Sequence, residues 1–252
     1  MFPDLRMETN ETAFCSLWTR HIKIHDCADL FFNVNLAEDY FFNRLNPFEC
    51  DDIRATIENA AQLCHGMGMA CFVYTHDNDT EVHNSLTEVG FDWIDTMHVL
   101  TSEPKKQVRH DDDKFKVMHV DAYSVPRWVD TFCRSFNVMQ WKQEVRRVVG
   151  MHLDDLDLLL SYIHEKNSFD IVTGCAALIA NEGLMGLYCL GTIKQFRGQG
   201  IAKKMIDVSM NKASQQRLDM VLLQTFSSEG LLPFYTKLGF RPAYKKRVYL
   251  RK

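Results

Sequence analysis

An α/β (α+β) fold in two parts is predicted: a C-terminal domain of alternating strands and helices, preceded by a smaller N-terminal α/β domain. Three observations predict it. Strand-like apolar runs alternate with amphipathic helical stretches in both halves. The polar stretch "TSEPKKQVRHDDDK" at 101–114 contains Pro104 and changes charge sign midway, as an exposed connector does. "KQFRGQGIAKKM" at 194–205 then sets two glycines between a strand and a helix. A chain of 252 residues has room for two such domains, expected at 1–105 and 106–252.

In the first half, "DIRATIENAAQLCHG" has helical apolar spacing and ends in glycine. "MACFVYTH" reads as a buried strand, "DTEVHNSLTEVGF" as a short helix stopping at Gly90, and "DWIDTMHVL" as an alternating strand. Past the connector, "KFKVMHV" is a strand, and "AYSVPRWVDTFCRSF" and "QWKQEVRRVVGMHL" are helices. Strands "DLLLSYIHE", "DIVTGCAALIA" and "GLMGLYCLGTI" follow, the last two joined by the hairpin signal "NEG" at 181–183. A helix "IAKKMIDVSMNKASQQR", a buried strand "DMVLLQTF", a helix near "GLLPFYTKLG" and a strand "AYKKRVYL" complete the chain.

Composition narrows the function classes. At 46% hydrophobic and 12% aromatic, the chain builds cores and is not a disordered protein. No apolar run approaches the roughly 18 residues of a membrane span, and "MFPDLRMETNETAFC" lacks the features of a signal peptide. A cytoplasmic protein with no membrane partner is expected. The eight cysteines include no CxxC pair and several sit in apolar runs, so reduced thiols are expected. Residues 1–105 carry about 18 acidic against about 6 basic side chains, and the remainder about 15 against about 23. This asymmetry suits an anionic ligand on the second half. It is not the basic, aromatic-interleaved footprint of a nucleic-acid binder.

A glycine loop that opens a helix lets backbone N–H groups approach an anion, with the helix dipole assisting. Here no GK[ST] follows, so the loop is not a P-loop. Lys203 stands where a dinucleotide fingerprint needs its third glycine.

These residues resemble the GCN5-related N-acetyltransferase (GNAT) superfamily. The family's pyrophosphate loop, Q/R-x-x-G-x-G/A, is met by Gln195, Gly198 and Gly200, with Arg197 where an arginine is frequent. Its later tyrosine before Gly-Phe is met by Tyr235 in "PFYTKLGF". "GLYCLGTIKQFRGQG" is similar to the splayed fourth strand leading into the loop. The resemblance covers roughly 114–252 and implies the GNAT fold, with splayed strands in its mixed sheet.

It further implies acetyl-CoA, or another short acyl-CoA, as co-substrate, no metal, and a small-molecule or peptide amine as acceptor. The chain would act as a monomer or a homodimer. Backbone N–H groups from Arg197 through Gly198, Gln199, Gly200 and Ile201 to Ala202 are expected to hold the pyrophosphate, with Arg197 adding charge. Leu190, Gly191 and Thr192 are expected to pair with the pantetheine amides as an added strand. Ser228 stands where many members have asparagine, offering fewer donors and acceptors to that arm. The implied chemistry is direct attack of the amine on the thioester, with the Leu190 N–H facing the developing oxyanion and Tyr235 as general acid. The strand "GLMGLYCLGT" has no carboxylate; Glu229, Glu182 and His164 are the general-base candidates nearest in sequence. The alternative is a catalytically silent CoA-binding sensor or partner-binding module.

Other features have two readings each. "HIKIH" sets His21 and His25 on one helical face, a metal pair with no third ligand suggested nearby. Phe136, Met139 and Trp141 in "FNVMQW" line the acceptor site or pack helices. Residues 70–91 and 219–240 align without gaps at an offset of 149, each a strand, a helix and a terminal Gly-Phe. The N-terminal half is then a degenerate copy or a generic strand–helix–strand unit. In the copy reading Leu86 replaces the tyrosine and "NPFECD" replaces the glycine loop, so one cofactor site per chain is expected.

Overall fold

The computed structural model describes residues 5–48, 50–105, 114–163 and 170–251. In chain order the elements are α1 (Leu5–Trp18), β1 (Arg20–Ile24), β2 (Ala28–Phe32), β3 (Arg44–Phe48), α2 (Ile53–Gly66), β4 (Cys71–His76), α3 (Thr80–Glu88) and β5 (Asp92–Ser102). There follow β6 (Phe115–His119), α4 (Val125–Phe136), α5 (Lys142–Met151), β7 (Asp157–Ile163), β8 (Ile171–Asn181) and β9 (Leu184–Thr192). The last are α6 (Ile201–Gln215), β10 (Met220–Phe226), α7 (Leu232–Lys237) and β11 (Arg241–Arg251). This is the mixed α/β architecture expected. Every element read from "DIRATIENAAQLCHG" onward forms.

The elements pack as two compact units that the chain visits alternately. One contains the stretch up to Glu11 and Thr101–Leu223; the other contains Thr12–Leu100 and Gln224–Lys252. The passage at Leu100–Thr101 lies close to the boundary read from the connector. Those at Glu11–Thr12 and Leu223–Gln224 fall inside α1 and β10, where composition does not change.

In the first unit the strand order is β10-β9-β8-β7-β6. Strands β6 to β9 form an antiparallel meander, and β10 returns parallel to β9 after α6. The β8–β9 hairpin closes at Glu182 and Gly183, both at positive φ (52° and 76°), the primed turn that suits right-twisted strands. Trp128 of α4 is fully buried and donates its indole N–H to the Ala176 carbonyl at 3.0 Å. Asn10 of α1 is likewise buried: it donates to the Ile179 carbonyl and accepts from the Tyr188 hydroxyl at 2.8 Å.

In the second unit the order is β1-β2-β3-β4-β11-β5. A core of Leu30, Leu45, Ile57, Ala60, Val73, Val82, Leu86, Phe91 and Tyr249 joins α2 and α3 to the sheet. The strand "DWIDTMHVL" does not alternate. Met97, His98, Val99 and Leu100 are buried in succession, as in a strand covered on both faces. "HIKIH" is not helical either: it is β1, followed by a turn in which His25 has φ 48°.

The cysteine expectation needs correcting. Cys27 and Cys50 are joined by a disulfide, because the β1–β2–β3 meander brings their Cα atoms within 5.0 Å. Spacing along the chain carries no sign of a pairing that the sheet creates. Cys15, Cys64, Cys71, Cys133, Cys175 and Cys189 are free thiols. No described helix is long and apolar enough to cross a membrane.

Candidate active site

The first unit presents an open strand edge. β9 pairs with β8 along its length, but with β10 only through Leu184–Gly186 against Met220–Leu222, so the two parallel strands part after three residues. Near the parting, Cys189 and Leu190 together oppose the single residue Ala176, and Cys189 has φ 52°. Such a bulge re-aims the backbone that follows it. Gly191 and Thr192 then pair with Cys175 and Gly174 on the β8 side. Gly191 sits where α4 presses on the strand: a Cβ there would lie 2.7 Å from Ser135 Cβ and 2.8 Å from the Phe136 ring.

Beyond β9 the loop turns into α6. Gly198 and Gly200 have φ 76° and 90°, conformations that L side chains rarely adopt, and a Cβ at either would meet nothing within 4 Å. Gly200 is the N-cap of the 15-residue α6 and has no side chain to cap it. Among the described residues nothing accepts a hydrogen bond from the backbone N–H of Gly198, Gln199, Gly200, Ile201, Ala202 or Lys203. Arg197 braces the loop from within, its Nε donating to the Thr192 carbonyl (3.1 Å) and its Nη2 to the Ser135 carbonyl (2.8 Å). Gln199 is anchored by Lys114, whose Nζ donates to its side-chain oxygen at 3.0 Å. A row of unbonded N–H groups, two glycines opening on free space and a helix start fit a pyrophosphate.

The second unit contains Tyr235 and Ser228. Tyr235 is 6% exposed, and among the described residues its hydroxyl has no hydrogen-bond partner. Burial, and next the nearby Glu229 carboxylate, push its pKa well above the ordinary phenol value, so it keeps its proton at neutral pH. Ser228 donates its hydroxyl to Asp95 Oδ2 at 2.5 Å, and its backbone N–H reaches Asp95 Oδ1 at 3.3 Å. Tyr40 approaches the same group: burial, then Asp95, raise its pKa to about 12, with the Ser228 hydroxyl lowering it, and its ring meets Phe226 edge-on at 4.7 Å. Beside it, burial of the Asp39 carboxyl pushes its pKa up to about 6, while its Oδ1 accepts from the Phe42 N–H at 2.8 Å.

The base candidates lie in different places. Glu182 is in the hairpin at the start of β9, eight residues before Leu190, or roughly 25 Å at the rise of a strand. Glu229 shares a unit with Tyr235, but its Oε2 already accepts from the Thr225 hydroxyl (2.7 Å) and the Phe226 N–H (3.0 Å). His164 lies outside the described residues. Phe136 and Met139 are exposed, at 43% and 46%, at the α4–α5 connection, with Trp141 half-buried after them. No group of three or more described His, Cys, Asp or Glu side chains is arranged to hold a metal ion. Asp39, Tyr40 and Asp95 carry no sequence signal. They belong to no motif and are far in sequence from the residues they meet.

The aligned repeat has a counterpart in geometry. The Phe91 N–H bonds the Leu86 carbonyl (2.9 Å), and the Phe240 N–H bonds the Tyr235 carbonyl (3.2 Å). Each follows a glycine at positive φ, Gly90 and Gly239. At the same offset α2 corresponds to α6, but their starts differ chemically. α2 is capped by Asp52, whose carboxylate accepts from the Ala55 N–H at 2.9 Å. A helix start filled by its own carboxylate repels a phosphate. The α6 start has no such group.

Residues 160–242 match the family described as the acetyltransferase (GNAT) domain. The chain carries a GNAT acetyltransferase domain. The matched stretch holds the open edge of β9, the glycine loop and Tyr235, and the family supports acyl transfer in general. Solved structures resemble the fold over most of the chain. A GCN5-related N-acetyltransferase from Kribbella flavida superposes with a TM-score of 0.68 at 13% identity, over 97% of this chain and 94% of that one. Another from Sphaerobacter thermophilus gives 0.67 at 12% identity, covering 91% and 82%. A tandem GNAT protein from the clavulanic acid biosynthesis pathway gives 0.55 at 13% identity, covering 82% and 73%. At these identities the likeness shows the fold. No curated protein matches the chain.

Proposed function

We propose that this chain is an N-acyltransferase that moves an acetyl or other short acyl group from acetyl-CoA to an amine, on a small molecule or a peptide. The glycine loop carries the reading: six backbone N–H groups with no acceptor among the described residues, shaped by Gly198 and Gly200. When bound, the donor supplies a thioester and a thiolate leaving group. Gly198 to Ala202 hold its pyrophosphate through backbone N–H groups, in a loop kept in shape by Arg197 and anchored through Gln195 and Gln199. Leu190, Gly191 and Thr192 offer the unpaired side of β9 to amide groups of the donor. The Leu190 N–H faces the carbonyl oxygen as charge develops there. Tyr235 donates its proton to the departing sulfur. Ser228 has its hydroxyl proton committed to Asp95 and contributes its oxygen as an acceptor. Residues 106–252 thus carry the transfer groups, and 1–105 are a degenerate copy of the same fold without a donor site. The Asp52 cap on α2 supports one donor site per chain.

Thermal unfolding with acetyl-CoA and free CoA tests the donor site. A ligand at 100 times its Kd adds about 2.7 kcal/mol, enough to raise Tm by several degrees in a chain of this size. No shift at millimolar ligand sinks the proposal. Turnover of an amine panel by Tyr235→Phe then tests the acid. The expected loss is roughly tenfold to a thousandfold in rate with the CoA shift retained; an unchanged shift with no turnover in either protein would make the chain a CoA-binding sensor.

A further inference from the structure

Along the outer face of α4 runs a cavity of about 440 Å³, within the ordinary range for small-ligand pockets. Arg127, Asp130 and Arg134 line it at helical spacing, so they share one face. Lys142, at the start of α5, lines it too. Asp130 holds Lys142 at 2.7 Å and Arg134 at 3.7 Å. Among the described residues, Arg127 donates to the Asp170 carbonyl at 3.2 Å. Among the described lining residues, three cations against one carboxylate leave an excess of two positive charges, with two guanidinium forks among them. Gln195 and Phe196, which open the glycine-loop segment, form the rest of the wall that matters here: an amide that donates and a ring that offers a face.

We propose that this cavity is a binding site for a phosphate monoester. The excess charge equals that of the dianion, the guanidinium forks match its oxygens, and the Phe196 ring suits an aromatic group joined to it. The phosphate has two possible sources of one chemistry: the 3′-phosphate on the terminal nucleotide of coenzyme A, or a separate phosphorylated small molecule. The site goes beyond the transferase reading and does not require turnover.

The test compares adenosine 3′-monophosphate with adenosine by calorimetry, on the wild-type chain and on the double variant Arg127→Gln, Arg134→Gln. Arg134 is 46% exposed, and both arginines lie on the outer face of α4, so the variant is expected to unfold at the wild-type temperature. The proposal expects the wild type to prefer the phosphate at least tenfold, and less so as salt rises; the variant should lose that preference. Coenzyme A and its 3′-dephospho form then identify the source. If the phosphate is the donor's own, the dephospho form binds wild type as weakly as coenzyme A binds the variant. If it belongs to a separate molecule, coenzyme A binds both proteins equally while adenosine 3′-monophosphate is lost from the variant. A wild type that does not distinguish adenosine 3′-monophosphate from adenosine, or a variant that binds it as before, overturns the site. Failure of coenzyme A to bind any form would count against the transferase reading alone, since the nucleotide comparison still decides the cavity.

Discussion

As the proposed general acid, Tyr235 would release a proton from a buried position, and burial with the Glu229 charge raises the pKa that governs its release. A general acid works only while protonated, and a raised pKa moves its deprotonation to higher pH. The rate should therefore show no alkaline fall from this residue below about pH 10, the ordinary phenol value; a pH–rate profile checks it, and a fall near pH 8 that vanishes in Tyr235→Phe would contradict it. Gly198→Ala and Gly200→Ala put a β-carbon at φ 76° and 90°. Each costs about 1 kcal/mol of backbone strain. No clash is expected, so the fold should persist while the rise in Tm with acetyl-CoA shrinks or disappears. Asp39 works in the opposite electrostatic sense from a salt-bridged carboxylate. Its folded pKa of about 6 lies above the ordinary carboxyl value of 3.8, so between those values the folded state binds more protons than the unfolded one. Stability then falls as pH rises through that window. Asp39→Asn keeps the acceptor for the Phe42 N–H but removes the buried charge, and is expected to raise Tm at pH 7.5 and flatten the pH 4–6 slope.

Where α4 meets β9, Gly191→Ala should be expensive although alanine is small. Its β-carbon would come within 3 Å of two α4 side chains, and overpacking of this kind costs typically about 1–3 kcal/mol; a drop in Tm of several degrees is the expected readout. The elements around this contact were legible because each has a period and a stop signal: Pro126 near the start of α4, Glu182–Gly183 in the hairpin, glycines ahead of α6. The first fifty residues hold no such signals. β1 to β3 are five-residue strands, and the turn after β1 uses His25 and Asp26 at positive φ rather than glycine. α1 buries Met7, Phe14, Cys15 and Trp18, but the equally buried Asn10 and Glu11 sit among them, so the apolar pattern is broken. The glycine loop and Tyr235 were legible as local strings. Asp95 and Tyr40 were not, since Ser228 meets them across 133 and 188 positions of chain, a pairing that only folding makes.

At the scale of the molecule, the second unit is assembled from two distant stretches, and part of the first from the opening turns of α1. A fragment spanning 106–252 is therefore expected to lack a cooperative thermal transition by itself and to regain one when produced together with 1–105. The Cys27–Cys50 link closes a separation of 23 residues within the second unit, worth roughly 3 kcal/mol by loop closure. Thiol labelling of the denatured chain should count six free cysteines before reduction and eight after, and reductant should lower Tm. The alternating path also sets an order of events on the ribosome. β4 is buried in the sheet through its antiparallel ladder with β11, from Cys71 against Arg251 to His76 against Lys246. That partner follows only after more than 160 further residues, from His76 to Arg241. For most of synthesis the apolar "CFVYTH" strand must emerge and wait with one edge open, which makes it the segment of the nascent chain where a holding chaperone has most to do.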